Sequence, residues 1–150
     1  MPDAPASPDA FALVHTSRAR VRWSDMDALG HVNNAVYFTY IEQARAEAME
    51  AMITEWHTGG RGPVLIHASC TYKRPVKHPA TVVIRVFVGA PGRSSLPTRY
   101  EITVEGDEDR VYATGEATLV WIDLEQERPV PLPPALREAV EERLAAQSDA

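Results

Sequence analysis

Cysteine is nearly absent: Cys70 is the only one in 150 residues. No internal disulfide can form, which fits a reducing compartment. Long apolar runs are also missing, and nothing approaches the ~20 residues that a membrane-spanning helix requires. The opening stretch MPDAPASPDAFALVH lacks the basic segment and apolar run of a secretory signal. The expected location is therefore the cytoplasm. Positive charge is in deficit, with 15 Lys and Arg against 21 Asp and Glu and a net charge of −6. That balance argues against nucleic acid or an anionic membrane as partner. There is no G-x-S-x-G elbow of a serine α/β-hydrolase. The five histidines show no H-x-x-x-H or H-x-x-E-H spacing, so neither a metal site nor another cofactor is expected.

What is present suits one domain with its own core. Residues 1–12, rich in Pro, Ala and Asp, read as disordered, and 13–150 read as the single folded domain. Thr16 to Trp23 alternates as a first strand. From about Ala35 to Trp56 the period becomes helical, with Tyr37, Ile41, Ala44, Ala48 and Met52 on one face. Asn33 or Asn34 suits the N-cap. Four strand-like runs follow. Their one-face sets are Val64, Ile66, Ala68, Cys70 and Tyr72; then Val82, Ile84, Val86 and Val88; then Tyr100, Ile102 and Val104; then Ala113, Gly115, Ala117, Leu119 and Trp121. EGDEDR reads as a charged hairpin tip, and Gly89 to Pro97 as a loop. PLPPALREAVEERLAAQ closes the chain as a short amphipathic helix carrying Leu136, Val140 and Leu144. A helix followed by a run of strands argues for an α+β fold with an antiparallel sheet wrapped around the one long helix. The other face of such a sheet invites self-association.

The chemistry concentrates in W-S-D-M-D-A-L-G-H-V-N-N-A-V-Y, Trp23 to Tyr37. Two carboxylates, Asp25 and Asp27, follow a strand, Gly30 permits a tight turn, and the long helix begins just beyond. A helix start offers free amides and a partial positive charge that can hold a developing oxyanion. A carboxylate across the turn can attack a carbonyl or activate water. Together they make a minimal acyl-transfer site, well matched to a thioester, whose thiolate leaves with little acid assistance.

D-M-D-A-L-G-H-V-N-N-A-V-Y-F, the Glu42–Ala44–Arg45 pattern of the helix and A-S-C-T-Y-K-R-P-V (Ala68 to Val76) resemble the hotdog acyl-CoA thioesterases of the 4-hydroxybenzoyl-CoA thioesterase type, over residues 16 to 122. The resemblance implies a hotdog fold and hydrolysis of an acyl-CoA, coenzyme A being part of the substrate and not a separate cofactor. It implies Asp27 as the catalytic carboxylate and the amide near Asn34 as the group polarising the carbonyl. The opening of the second strand, Val64 and Leu65, would line the acyl pocket with Tyr37. Arg93, Ser94 and Ser95 would contact coenzyme A, often from a neighbouring subunit, and dimers or tetramers are implied.

Other readings stand beside these. Asp25 suits a turn acceptor. His31 either orients the substrate carbonyl or a water, or is a loop histidine with a backbone partner. Glu42 and Glu47 are rival carboxylates, and Glu42 can pair with Arg45 on the helix surface. Cys70 reads as an inert small hydrophobe. Lys73, Arg74, Lys77 and His78 suit either phosphate capture or a solvated strand end. A hydratase using His31 with Asp27, or a non-catalytic module that binds acyl thioesters, would have the same outline.

Overall fold

The computed structural model describes residues 9–148. In chain order the elements are β1 (Phe11–Arg20), a single 3-10 turn (Trp23–Asp25), α1 (Val36–Met52), β2 (Arg61–Tyr72), β3 (Thr81–Gly89), β4 (Ser95–Val104), β5 (Ala113–Asp123), β6 (Arg128–Pro129) and α2 (Pro134–Ser148). The sheet is antiparallel in the order β1-β3-β4-β5-β2, with the two-residue β6 on β5. It wraps α1 in the expected hotdog arrangement. Among the described residues, no helix is long and apolar enough to cross a membrane.

Alternation fixes which face of the sheet meets α1. The sets Val82–Ile84–Val86–Val88 on β3 and Ala113–Gly115–Ala117–Leu119–Trp121 on β5 are all buried. Tyr37, Ile41, Ala44 and Ala48 of α1 are buried against them, and each large apolar side chain so removed from water contributes about 1.5–3 kcal/mol. Gly115 lies under the helix. A Cβ built there would stand 2.9 Å from Ile41 Cδ1 and 3.2 Å from the Ser69 carbonyl, so a methyl would require Ile41 to shift and the strand to give slightly. Leu136, Val140 and Leu144 of α2 are buried as their spacing requires, where α2 meets β1, β3 and α1. The opposite face of the sheet is polar, with Arg85–Glu101 and Arg99–Glu116 pairing across strands.

The structure corrects several sequence expectations. β1 spans Phe11–Arg20 and not Thr16 to Trp23, so the ordered chain begins before residue 13; residues 1–8 of the expected disordered segment lie outside the described residues. The long helix stops at Met52, and Trp56 sits in the following loop. β4 begins at Ser95, within the stretch read as loop. The residue at the N-cap of α1 is Ala35 and it makes no side-chain cap; Asn33 acts two residues earlier, its Oδ1 accepting the Ala35 amide at 2.9 Å. Val104, at the end of its set, is only half-buried.

The largest departure is in β2. A bulge between Leu65 and His67 breaks its alternation. Leu65 pairs with Leu119 and Ala68 with Ala117, on the α1 face, whereas Val64 pairs with Val120 on the other. One extra residue reverses the facing of everything on one side of it. Val64 therefore does not continue the face of Ala68, Cys70 and Tyr72, and Ile66 is the unpaired bulge residue.

Candidate active site

The motif between β1 and α1 folds as a miniature hairpin. The Asn33 amide donates to the Asp25 carbonyl at 2.9 Å, the Asp27 amide to the His31 carbonyl at 2.7 Å, and Met26 bridges Val32. Gly30, at φ +77°, closes the tip by donating to the Asp27 carbonyl. That left-handed backbone is where glycine is favoured. Val32, 1% exposed, pins the hairpin to the body by donating to the Val76 carbonyl.

The two carboxylates have different surroundings. Asp25 Oδ2 accepts the Arg22 amide at 2.9 Å and the Tyr40 hydroxyl at 2.8 Å, which makes it the turn acceptor its position suggested. Burial, then the bond to Asp25, holds the Tyr40 phenol well above its usual range. Asp27 Oδ1 accepts the Leu29 amide at 2.9 Å and, more loosely, the His31 amide at 3.4 Å. Its Oδ2 has no hydrogen-bond donor among the described residues. Asp27 lines a cavity of about 700 Å³ with Trp23, Ser24, Met26, Ala28, Gly30 and His78. Trp23 in its wall is 80% exposed, as is Leu29 at the hairpin tip.

The amides leading into α1 are mostly occupied. Those of Asn33, Ala35 and Val36 donate to the Asp25 carbonyl, Asn33 Oδ1 and the Asn33 carbonyl. The Asn34 amide has no acceptor among the described residues. The Asn34 carbonyl accepts the Tyr72 hydroxyl at 2.6 Å, and the Tyr72 ring meets Tyr37 edge-on with centroids 4.9 Å apart. Tyr37 is 2% exposed, and its hydroxyl accepts the Val76 amide at 3.3 Å. Nothing in the sequence marked Tyr72 or His78 as neighbours of the motif, because the body of the fold delivers both.

The rival groups are engaged elsewhere or exposed. Glu47 lies 3.3 Å from His15. Burial pushes its carboxyl up, but bonds from Ser17, His15 and Gln43 outweigh this and hold it below the usual range. Glu42 is exposed, and Arg45 reaches the Tyr100 hydroxyl at 3.3 Å instead of Glu42. Burial pushes the Cys70 thiol up, away from a reactive thiolate. Among the described residues no three His, Cys, Asp or Glu side chains gather as a metal site.

The expected coenzyme A contacts fall apart in space within one chain. Arg93 is exposed, and Ser94 and Ser95 are half-buried. They sit at the end of β5 where the Trp121 amide donates to the Ser94 carbonyl. That is the Arg61 end of β2, whereas Asn34 is tied to Tyr72 at its other end. Arg74 lies beyond Tyr72, its amide on the Tyr112 carbonyl. Leu65 stays on the α1 face with Tyr37, and Val64 faces away.

Residues 21–140 match the thioesterase-like superfamily. The chain is similar to the long-chain acyl-CoA thioesterase FadM of Escherichia coli, 30% identical over 129 residues that cover 84% of this chain and 96% of FadM. Among solved structures it resembles the PA2801 protein of Pseudomonas aeruginosa, a candidate thioesterase: the TM-score is 0.80, identity 39%, and coverage 85% and 98% of the two chains. It also resembles a thioesterase of Thermus thermophilus complexed with coenzyme A and zinc, with a TM-score of 0.72, 36% identity, and coverage of 87% and 98%.

Proposed function

The chain belongs to the thioesterase-like superfamily, and from that premise we propose that it hydrolyses an acyl-CoA thioester to the free acid and coenzyme A, with Asp27 as the catalytic carboxylate. The observation that carries this reading is the division of labour at Asp27. One oxygen is fixed by the amides of Leu29 and His31, and the other is left without a donor in a residue that lines a cavity. A held carboxylate with a spare oxygen is what attack on a carbonyl, or activation of a water, requires. The Asn34 amide, a vacant donor at the start of α1, polarises the thioester carbonyl. Such donors are worth roughly 3–4 kcal/mol each to the transition state. His31 borders the site through its backbone and positions the Asp27 carboxylate. Tyr37 and Leu65 form the acyl wall on the α1 side. Coenzyme A enters only as part of the substrate, and the reaction runs in the cytoplasm.

The active form is a homodimer joined along β2. This edge strand is 12 residues long and carries Leu65 at 47%, Ile66 at 62% and Tyr72 at 40% exposure. A long apolar edge in water is a template for pairing. Two copies paired antiparallel set the Arg61 end of one β2 beside the Tyr72 end of the other. The second copy's Arg93, Ser94 and Ser95 then approach the first copy's Asn34, which reunites groups that lie far apart in one chain, with Arg74 on the same rim.

The test is thiol release from a panel of acyl-CoA thioesters of different chain type, wild type beside Asp27→Asn. Turnover that collapses in the variant supports the reading. A variant that keeps most of its turnover removes Asp27 from it.

A further inference from the structure

Four arginines on the strands and hairpins of this acidic protein have carboxylate partners, whereas Arg61, Arg74, Arg93 and Arg128 have none among the described residues. Arg18 lies near Glu105 and Glu108, Arg85 near Glu101, Arg99 near Glu116 and Arg110 near Asp107. Arg20 and Arg22, at the end of β1 and just past it, are exposed and make no ion pair among the described residues. They line a cavity of about 720 Å³ together with His78. Its only carboxylate, Asp25, is turned to the Arg22 amide and the Tyr40 hydroxyl. In the nearby acidic turn Glu105 and Glu108 face Arg18, and Asp107 holds Arg110 and accepts the Tyr112 hydroxyl, while Asp109 is exposed and makes no ion pair among the described residues.

This cationic cavity adjoins the catalytic one. His78 belongs to both linings, with Arg20 and Arg22 on one side and Asp27 on the other. The β1–β3 ladder, in which Arg20 opposes Thr81, and the bond from the Val21 amide to the Ala80 carbonyl hold the three groups together. A substrate whose reactive carbonyl is separated from its phosphates by a long flexible arm needs two adjoining compartments of this kind. Guanidinium groups suit phosphate oxygens through charge-assisted, often paired hydrogen bonds.

We propose that Arg20, Arg22 and His78 form a phosphate-binding subsite for the nucleotide end of coenzyme A, supplied by the same chain that carries Asp27. The proposal rests on the acyl-CoA reading and adds the anchor for its charged end.

The experiment compares one acyl group carried on coenzyme A and on pantetheine, which lacks the nucleotide. The proteins are wild type, Arg20→Glu/Arg22→Glu, the milder Arg20→Gln/Arg22→Gln, and Arg93→Glu. Binding of adenosine 3′,5′-bisphosphate is measured alongside by calorimetry, and melting curves verify folding. The expected result is a KM for the acyl-CoA that rises on the order of tenfold or more on charge reversal, less in the Gln pair, with the acyl-pantetheine KM unmoved and bisphosphate binding lost. An unchanged acyl-CoA KM, an equal rise for both thioesters, or a rise in Arg93→Glu alone overturns the subsite. If wild type cleaves neither thioester, the hydrolase reading fails. The subsite then stands or falls on whether wild type binds the bisphosphate and the charge-reversed protein does not.

Discussion

The Tyr72 hydroxyl donates a 2.6 Å hydrogen bond to the Asn34 carbonyl, tying the end of an edge strand to the turn that opens α1. The bond steadies the turn that presents the Asn34 amide. Removing the hydroxyl in Tyr72→Phe keeps the ring and its edge-on contact with Tyr37. One hydrogen bond of this kind is worth about 0.5–1.5 kcal/mol, so kcat should fall roughly 3- to 10-fold with KM little changed. Steady-state kinetics on the preferred thioester decide it, and a kcat equal to wild type would remove Tyr72 from the positioning of this turn.

Asp27→Asn retains an oxygen that can accept the Leu29 and His31 amides, so the hairpin should survive. Turnover should drop at least ~100-fold, while the melting temperature stays close to wild type. A large loss of stability would instead mark Asp27 as a structural turn residue.

Charge on the β2 edge should separate the subunits. Ile66 is 62% exposed in the single chain, so Ile66→Lys should leave the monomer folded and prevent edge pairing. Sedimentation velocity should find monomer where wild type is dimer, and thiol release should fall with it. A variant that sediments as wild type would exclude β2 as the joint.

Gly115→Ala sets a methyl against Ile41 Cδ1 and the Ser69 carbonyl. Overpacking of this sort costs about 1–3 kcal/mol, to be read from chemical denaturation. Adding Ile41→Val should recover part of the loss, because the two sites share one contact.

Alkali should unfold the protein through its tyrosines. Burial first, then Cys70, pushes the Tyr72 phenol up to about 12. Tyr37 and Tyr40 are also raised, burial again leading. The unfolded chain gives up its phenolic protons near pH ~10, before the folded one does. Stability from the neutral phenols is therefore complete below that pH and drains away as pH rises towards the folded values. Melting curves across this window should shift downward as the tyrosinate band appears, and a flat profile would contradict the shifts.

The strands β3 and β5 and the helix α2 were legible because each buries one clean face, so burial wrote its period into the residues. β2 was not, because Val64, Leu65 and Ile66 are all apolar and carry no mark of the bulge that turns Val64 away. β1 was misread at both ends: Phe11 to Val14 lies next to a polar, proline-rich stretch, and Trp23 looks strand-like but opens a 3-10 turn. In the site, Asp27 and its hairpin were legible because the turn is local and needs Gly30. Tyr72 and His78 were not assembled with it, since long-range packing of the chain brings them there, and Arg20 and Arg22, a few residues upstream, gave no local sign that they share a cavity with His78.

The hairpin between Asp25 and Asn33 is closed by main-chain bonds and anchored by Val32. Its tip residues Ala28 and Leu29 point their side chains into solvent and hold nothing in place except through their backbone. Their identity can therefore drift without disturbing Asp27. This gives natural variation, or a directed library, a dial for the entrance of the cavity that leaves its chemistry untouched.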